Sequence, residues 1–245
     1  MSEQQADSTR RIRRVLSTRQ GGVSAAPYDA FNLGDHVGDD PDAVRRNRDR
    51  LGAAIGLGAP RLVWMEQVHG RGVQVVDEPV EQPAPMSDAL VSSTPGLGLS
   101  ILTADCVPLL MWDDAAGVVG AAHAGRQGVR LDIARATVEQ MAELGAQPER
   151  IEALLGPAIC GGCYEVPPAM QADVEQVAPG SAVRTRQGTS GLDLRAGLRA
   201  QLAALGVHRV QVDPRCTAEE PSLYSYRRDG RTGRQVAVIW IEEPA

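Results

Sequence analysis

Residues 99–123 read LSILTADCVPLLMWDDAAGVVGAAH: three apolar runs, Leu99–Leu102, Leu109–Trp112 and Val118–Ala122, separated by short polar or glycine-bearing breaks. Runs this short, bounded by turn residues, fit strands better than helices. Working back from them, Ala89–Val91, Gly72–Val76 and Leu62–Met65 have the same character. From Leu62 to Ala122 strands therefore follow one another with no helix between. A doubly wound parallel sheet, which needs a crossover helix after each strand, fits that order poorly, and a layered α/β fold with mixed sheets fits it better.

Outside this stretch, regular structure is expected to begin near Ile12–Leu16, with further strands at Ile151–Leu155, Arg209–Val212 and Val236–Ile241. Helices are expected at Pro41–Ile55, Val129–Leu144, Pro168–Val177 and Leu194–Leu205. The second of these has an apolar stripe at Leu131, Ala134, Val138 and Met141 and stops before Gly145 and Pro148; the first starts at Asp39-Asp40-Pro41. Prolines 79, 83 and 85 make Glu78–Met86 a loop. Residues 1–9 are polar and read as a disordered tail, leaving 10–245 as a single domain.

Composition narrows the chemistry. The 245 residues are 43% hydrophobic but only 3% aromatic, so the core is aliphatic and rich in small side chains. All 25 cationic side chains are arginine, and the absence of lysine excludes Schiff-base chemistry and a Walker-type phosphate loop. A net charge of −6 gives no basis for a nucleic-acid partner. With neither an apolar leader nor a membrane-length segment, the expected location is the cytoplasm, and the four cysteines are expected to be thiols or ligands rather than a disulfide framework. The oligomeric state is not legible.

Three strand ends carry the chemistry. His69 closes Trp-Met-Glu-Gln-Val-His before Gly70, Cys106 sits in Thr-Ala-Asp-Cys-Val before Pro108, and His123 closes Gly-Val-Val-Gly-Ala-Ala-His before Ala124-Gly125. A rigid sheet that presents two imidazoles and a thiol at its rim suits a catalytic zinc with an open fourth position. The same residues also suit a cysteine nucleophile with a histidine base. Their separations of 37 and 17 residues match no local metal signature, so spacing alone does not choose. Cys160-Gly-Gly-Cys163 has no second such pair and reads better as a glycine-rich loop than as a metal or redox motif. The loops Thr18–Val23 and Tyr226–Arg234 offer backbone amides and guanidiniums to an anion, though solvated turns with Arg–Asp pairing account for them better.

Taken together, Ser17–Ser24 (STRQGGVS), Phe31-Asn-Leu-Gly34, Gln67-Val-His-Gly70, Thr103–Pro108, Ala121–Gly125 and Ser225–Gly230 resemble the laccase-domain family, in order and over nearly the whole chain. That family was long labelled multicopper polyphenol oxidase and is now described as zinc-dependent purine nucleoside phosphorylase with adenosine deaminase activity; some members are called peptidoglycan editing factor. The resemblance implies His69, Cys106 and His123 as zinc ligands, and a single α/β/β/α layered domain like that of bacterial toxin cysteine hydrolases. It implies a nucleoside (adenosine, inosine or methylthioadenosine) and phosphate as small-molecule partners. Arg48 or Arg227 with Asn32 are then expected at the phosphate and Gln67 at the base. Many relatives read His-Ala-Gly-Trp-Arg-Gly where this chain has His123-Ala-Gly-Arg126-Gln127-Gly128, which displaces one arginine. The alternatives are a cysteine or zinc hydrolase acting on an amide of a peptidoglycan precursor, and a copper phenol oxidase, which four histidines serve badly. A non-catalytic binding module gives no reason for the triad.

Overall fold

The computed structural model describes residues 11–243. In chain order the elements are β1 (Ile12–Leu16), α1 (Pro41–Ile55), β2 (Leu62–Val63), β3 (Val73–Val75), β4 (Ala89–Ser92), β5 (Gly98–Thr103), β6 (Val107–Asp113), β7 (Val118–Ala124), α2 (Arg126–Arg130), α3 (Ile133–Glu143), β8 (Glu152–Leu155), α4 (Pro168–Val177), β9 (Ala182–Arg184), β10 (Ser190–Leu192), α5 (Leu194–Ala204), β11 (Arg209–Val212), α6 (Tyr226–Asp229) and β12 (Gln235–Ile241). The tail expected at 1–9 lies outside the described residues. No helix among the described residues is long and apolar enough to cross a membrane.

The strands form a four-stranded sheet in the order β1-β12-β5-β2, a six-stranded sheet in the order β11-β8-β6-β7-β4-β3, and a small β9–β10 hairpin. Both large sheets are mixed: β5 pairs antiparallel with β12 but parallel with β2, and β8 pairs antiparallel with β6 but parallel with β11. The period of two along each strand stacks the layers. In β12, Ala237, Ile239 and Ile241 meet Leu110, Trp112, Val119 and Ala121 of the larger sheet, while Val236, Val238 and Trp240 turn the other way, toward Leu51 and Ile55 of α1. The opposite face of the larger sheet, with Leu109, Met111 and Ala122, packs on α3, α4 and α5 through Ile133, Met141, Val174 and Leu198. The result is a single-domain α/β/β/α stack, whose core strands are buried on both faces.

Local chemistry sets the helix ends. Asp40 caps α1 through Asp42 N–H, Pro41 opens it, and Gly56 closes it in the left-handed conformation. The single helix expected over Val129–Leu144 is instead two, α2 and α3. Asp132 takes a left-handed backbone (φ 58°) and its carboxylate accepts from Arg135 N–H, so a cap interrupts the apolar stripe. At Gly120 of β7 an added Cβ would lie 2.8 Å from Met141 Sδ, so glycine is what lets α3 seat on the sheet.

Candidate active site

The chain crosses between the two large sheets at one end of the stack, and His69 and Cys106 lie at these crossings, with His123 on the adjoining strand. The segment after β2 that carries His69 leads from the smaller sheet to β3 in the larger one, and the turn Ala104–Cys106 links β5 of one sheet directly to β6 of the other. His123 lies within β7, paired with Pro108 of β6. The donor atoms of His69, Cys106 and His123 all lie within 4.8 Å of one another. The two imidazole rings meet edge-on, with centroids 4.8 Å apart. His69 (φ 58°) and Asp105 (φ 96°), the residue before Cys106, both hold left-handed backbone that is costly for residues with a Cβ.

Asp88, immediately before β4 and fully buried, organises two of the three. Its Oδ1 accepts from His69 N–H (3.0 Å) and faces His123 Nδ1 (2.8 Å), while Oδ2 accepts from Gly70 N–H (2.6 Å) and Val68 N–H (3.2 Å). One carboxylate thus fixes the His69 backbone and the orientation of His123, leaving His123 Nε2 to point at the cluster. Carboxylate–histidine pairing of this kind is what orients metal-binding imidazoles. Burial alone would lower the His123 imidazolium, but the Cys106 sulfur and the Asp88 carboxylate outweigh it and raise His123 to about 9. Burial and then the positive neighbour His123 hold His69 below the usual histidine range.

A Cβ added at Gly125 would sit 2.9 Å from both Cys106 Sγ and His69 Nδ1, so the missing side chain leaves the donors room to converge. Two imidazole nitrogens and one thiol sulfur are a borderline-soft donor set of the type zinc takes, with three protein ligands and one open position. The residues present fit such an ion.

The triad forms one wall of a cavity of about 460 Å³, within the range of small-molecule sites. Arg126, Arg227 and Arg234 also line it, and among the described residues none of these is within ion-pair distance of a carboxylate, whereas Arg228 pairs with Asp229. Burial holds Arg234 below its ordinary value. Tyr164 lies under Arg227, 5.0 Å from its guanidinium carbon, and burial raises its hydroxyl against the pull of Arg126 and Arg227. Thr103, which also lines the cavity, has a buried Oγ1 with no hydrogen-bond partner among the described residues.

Of the other four residues expected at the site, Arg227 and Gln67 line the cavity and Asn32 and Arg48 do not. Arg227 lines the cavity; its backbone N–H donates to Asp105 Oδ2 (2.6 Å) and its Nη1 to the Glu165 carbonyl (3.1 Å). Gln67 also lines it, but its amide bridges Leu102 of β5, donating to the carbonyl and accepting from the N–H, each at 2.9 Å. Asn32 does not line the cavity: fully buried, it donates to Gly34 O and Asp39 and accepts from Gly34 and Arg234 N–H, so it positions Arg234. Arg48 lies elsewhere, paired with Asp35 (3.2 Å) and stacked 4.0 Å from the Trp64 ring centroid. Arg126, the displaced arginine, does face the cavity.

A second cluster lies next to Ile159 and Tyr164 of the cavity lining. Cys216 comes beside Cys160 and Cys163, with Glu219 completing a group of four donors within 4.8 Å of one another. Burial and the neighbouring Cys160 and Cys216 sulfurs push the Cys163 thiol up to about 11.

Residues 13–242 match the family model described as multi-copper polyphenol oxidoreductase laccase. The chain belongs to this laccase-like family. Within it, the chain is 55% identical over 232 residues to a protein of Mycobacterium tuberculosis (strain ATCC 25618 / H37Rv) named purine nucleoside phosphorylase, covering 95% of this chain and 93% of that one. It is 50% identical over 228 residues to a Streptomyces coelicolor protein of the same name, covering 93% and 94%. Among solved structures, YlmD from Geobacillus stearothermophilus superposes with a TM-score of 0.89 at 34% identity, covering 95% and 92%. The Neisseria meningitidis protein NMB0706 gives 0.86 at 35% identity, covering 95% of each chain. The laccase-like family assignment and the layered fold expected from the sequence therefore agree.

Proposed function

We propose that this chain is a zinc-dependent purine nucleoside phosphorylase, with adenosine, inosine or methylthioadenosine as substrate and the cavity beside His69, Cys106 and His123 as its reaction centre. The observation that carries this reading is the convergence, in one cavity, of a metal-type donor set and three arginines without carboxylate partners. The naming of relatives 43–55% identical supports it. His69, Cys106 and His123 would hold the ion. When bound, zinc supplies a Lewis acid with an open position, chemistry suited to activating water for a second activity, adenosine deamination, at the same centre.

The chain's own residues account for the rest. Arg227, Arg234 and Arg126 present forked donors to phosphate, which compact, hydrated lysine would not match. In phosphorolysis a phosphate oxygen bonds to C1′ as the glycosidic bond breaks, and the purine leaves with that electron pair and takes up a proton. The task of the guanidiniums is to hold phosphate against C1′ while its charge redistributes. Tyr164, Ile159 and Leu194 give the cavity apolar surface for a ring and ribose. Asp88 holds His123 in one orientation throughout. We place the reaction in the cytoplasm, consistent with four unpaired cysteines.

The test is product analysis with zinc-loaded protein. Adenosine with phosphate is expected to give adenine and ribose 1-phosphate, and adenosine alone to give inosine. Arg227→Ala is expected to weaken phosphate use roughly ten- to a hundredfold, the worth of one charge-assisted contact, and to spare deamination. If neither adenine nor inosine forms while an amide of a cell-wall precursor is cleaved, the nucleoside reading is wrong and the hydrolase takes its place.

A further inference from the structure

Three of the four cysteines meet in one place: Cys160 and Cys163 of the Cys-Gly-Gly-Cys loop and the sequence-distant Cys216. Cys160–Cys163 and Cys216–Glu219 are two facing turns, each offering a ligand-type side chain at its first and fourth residues. Each turn closes on its own backbone, with Cys163 N–H donating to Cys160 O (2.9 Å) and Glu219 N–H to Cys216 O (3.0 Å). They are joined by an Ala158–Cys216 bridge and by Cys160 N–H, which donates to Cys216 Sγ at 3.3 Å. Arg186 reaches both turns, donating to Cys163 Sγ (3.3 Å) and to Glu219 Oε2 (3.0 Å).

From this arrangement we infer that Cys160, Cys163, Cys216 and Glu219 form a structural zinc site, separate from the His69/Cys106/His123 centre. Paired turns with ligands three residues apart are how short loops build closed tetrahedral sites. The donors are right for zinc: three sulfurs exclude magnesium or calcium, and the carboxylate oxygen supplies the fourth corner that a three-thiolate copper(I) site would not use. Three thiolates and a carboxylate around a dication leave net negative charge, which the Arg186 guanidinium meets at both a sulfur and the carboxylate. As the sulfur–metal bonds form, the thiol protons pass to solvent. A disulfide does not explain the group equally well, because three thiols always leave one sulfur over.

The site would also brace the cavity. Ile159 and Tyr164, which flank the first turn, line it, and Thr217, next to Cys216, donates to Asp105 Oδ1 (2.6 Å), the neighbour of Cys106.

The experiment is elemental analysis of the full chain purified in reductant without chelator. The expected content is about two zinc ions per chain, falling to about one in Cys106→Ser and about one in Cys163→Ser, with Glu219→Ala losing at least tenfold in affinity at the second site only. Cobalt(II) substitution of Cys106→Ser protein is the second measurement. Tetrahedral d–d bands with strong sulfur-to-cobalt absorption, as three thiolates give, are expected even if Cys163→Ser fails to fold. Wild-type protein with about one zinc that Cys163→Ser leaves unchanged, copper in place of zinc, or Cys106→Ser protein whose cobalt spectrum lacks thiolate bands would each overturn the assignment.

Discussion

Replacing Gly125 by alanine tests the proposed metal centre without touching one of its candidate ligands. The new Cβ would lie 2.9 Å from Cys106 Sγ and 2.9 Å from His69 Nδ1, against the ~3.5–4 Å of an ordinary contact, so each donor must retreat by about 0.5–1 Å. Metal sites hold their ligand distances to within about 0.2 Å. Two of three ligands cannot absorb that shift, and the expected loss is at least that of removing an outer partner, about 10- to 100-fold in zinc affinity or ~1.4–2.7 kcal/mol.

Without metal the same change is close to neutral. Gly125 has φ −74° and ψ 177°, extended backbone that alanine adopts freely. Alanine is a poorer cap for α2 by up to ~1 kcal/mol, but it stiffens the unfolded chain by about 0.4–1 kcal/mol, and the two terms offset. His69, though its ring is partly desolvated by the cavity, keeps an exposed surface and Cys106 a partial one, and both side chains can swing aside. Competition with a chromogenic chelator measures the affinity, and thermal unfolding of metal-free protein measures the fold. Zinc binding within about twofold of wild type would refute the triad as the metal set. A metal-free Gly125→Ala protein that fails to fold would show that Gly125 serves packing instead.

The other predictions concern the elements that hold this centre in place. Asp88→Asn offers one acceptor oxygen where four donors now converge, and is expected to lower stability by roughly 2–4 kcal/mol and zinc affinity at least tenfold, read from urea midpoints of the metal-free form and from chelator competition. At Asp113 burial works against the carboxylate charge, but Arg150 and the Gln147 and Ala116 N–H groups outweigh it and hold its pKa below the ordinary value. That stability is therefore present above the unfolded pKa of about 3.9 and is lost as pH falls through the folded value, so Asp113→Asn is expected to cost ~1.5–3 kcal/mol near pH 7 and less and less toward pH 3 in pH-dependent unfolding. Gly120→Ala forces Met141 from β7 and is expected to lower the melting point by the equivalent of about 1–3 kcal/mol while leaving zinc content unchanged, a control for packing damage alone.

The triad could be read from the sequence because each member closes or follows an apolar run and precedes a glycine or proline, a purely local pattern. Asp88 could not: an acidic residue in Met86-Ser-Asp-Ala89 reads as surface, and only the pairing of β4 with β7 brings it beneath His123. Cys216 sits in an unremarked loop, so the second cluster appears only when Ala158 meets it. The arginines fail for another reason. With every cation an arginine, residue type carries no discrimination, and Arg48 and Arg234 look alike until tertiary contacts stack one on Trp64 and turn the other into the cavity. The layered class was legible from the missing crossover helices. The assignment of β5 and β6 to different sheets was not, because consecutive strands joined by a short turn usually pair with each other.

The family's description as a multi-copper oxidoreductase can be weighed against the imidazoles this chain owns. Oxidising phenols with dioxygen requires several electrons to be collected and delivered together, hence a copper cluster held by many histidines. The chain has four. His69 and His123 belong to the triad; His36 lines the same cavity but faces Asp35 at 3.6 Å; His208 borders a separate crevice with Arg199 and Val210. A lone copper on the triad would need the weak axial ligand, commonly methionine, that sets a blue copper site, and among the described residues no methionine lines the cavity. What does surround the triad is arginine, whose forked donors match a phosphate or carboxylate and do nothing for electron transfer. The charge in the cavity thus argues for an anionic co-substrate beside the triad, as the proposed phosphorolysis requires, and the histidine count argues against the oxidase on independent grounds.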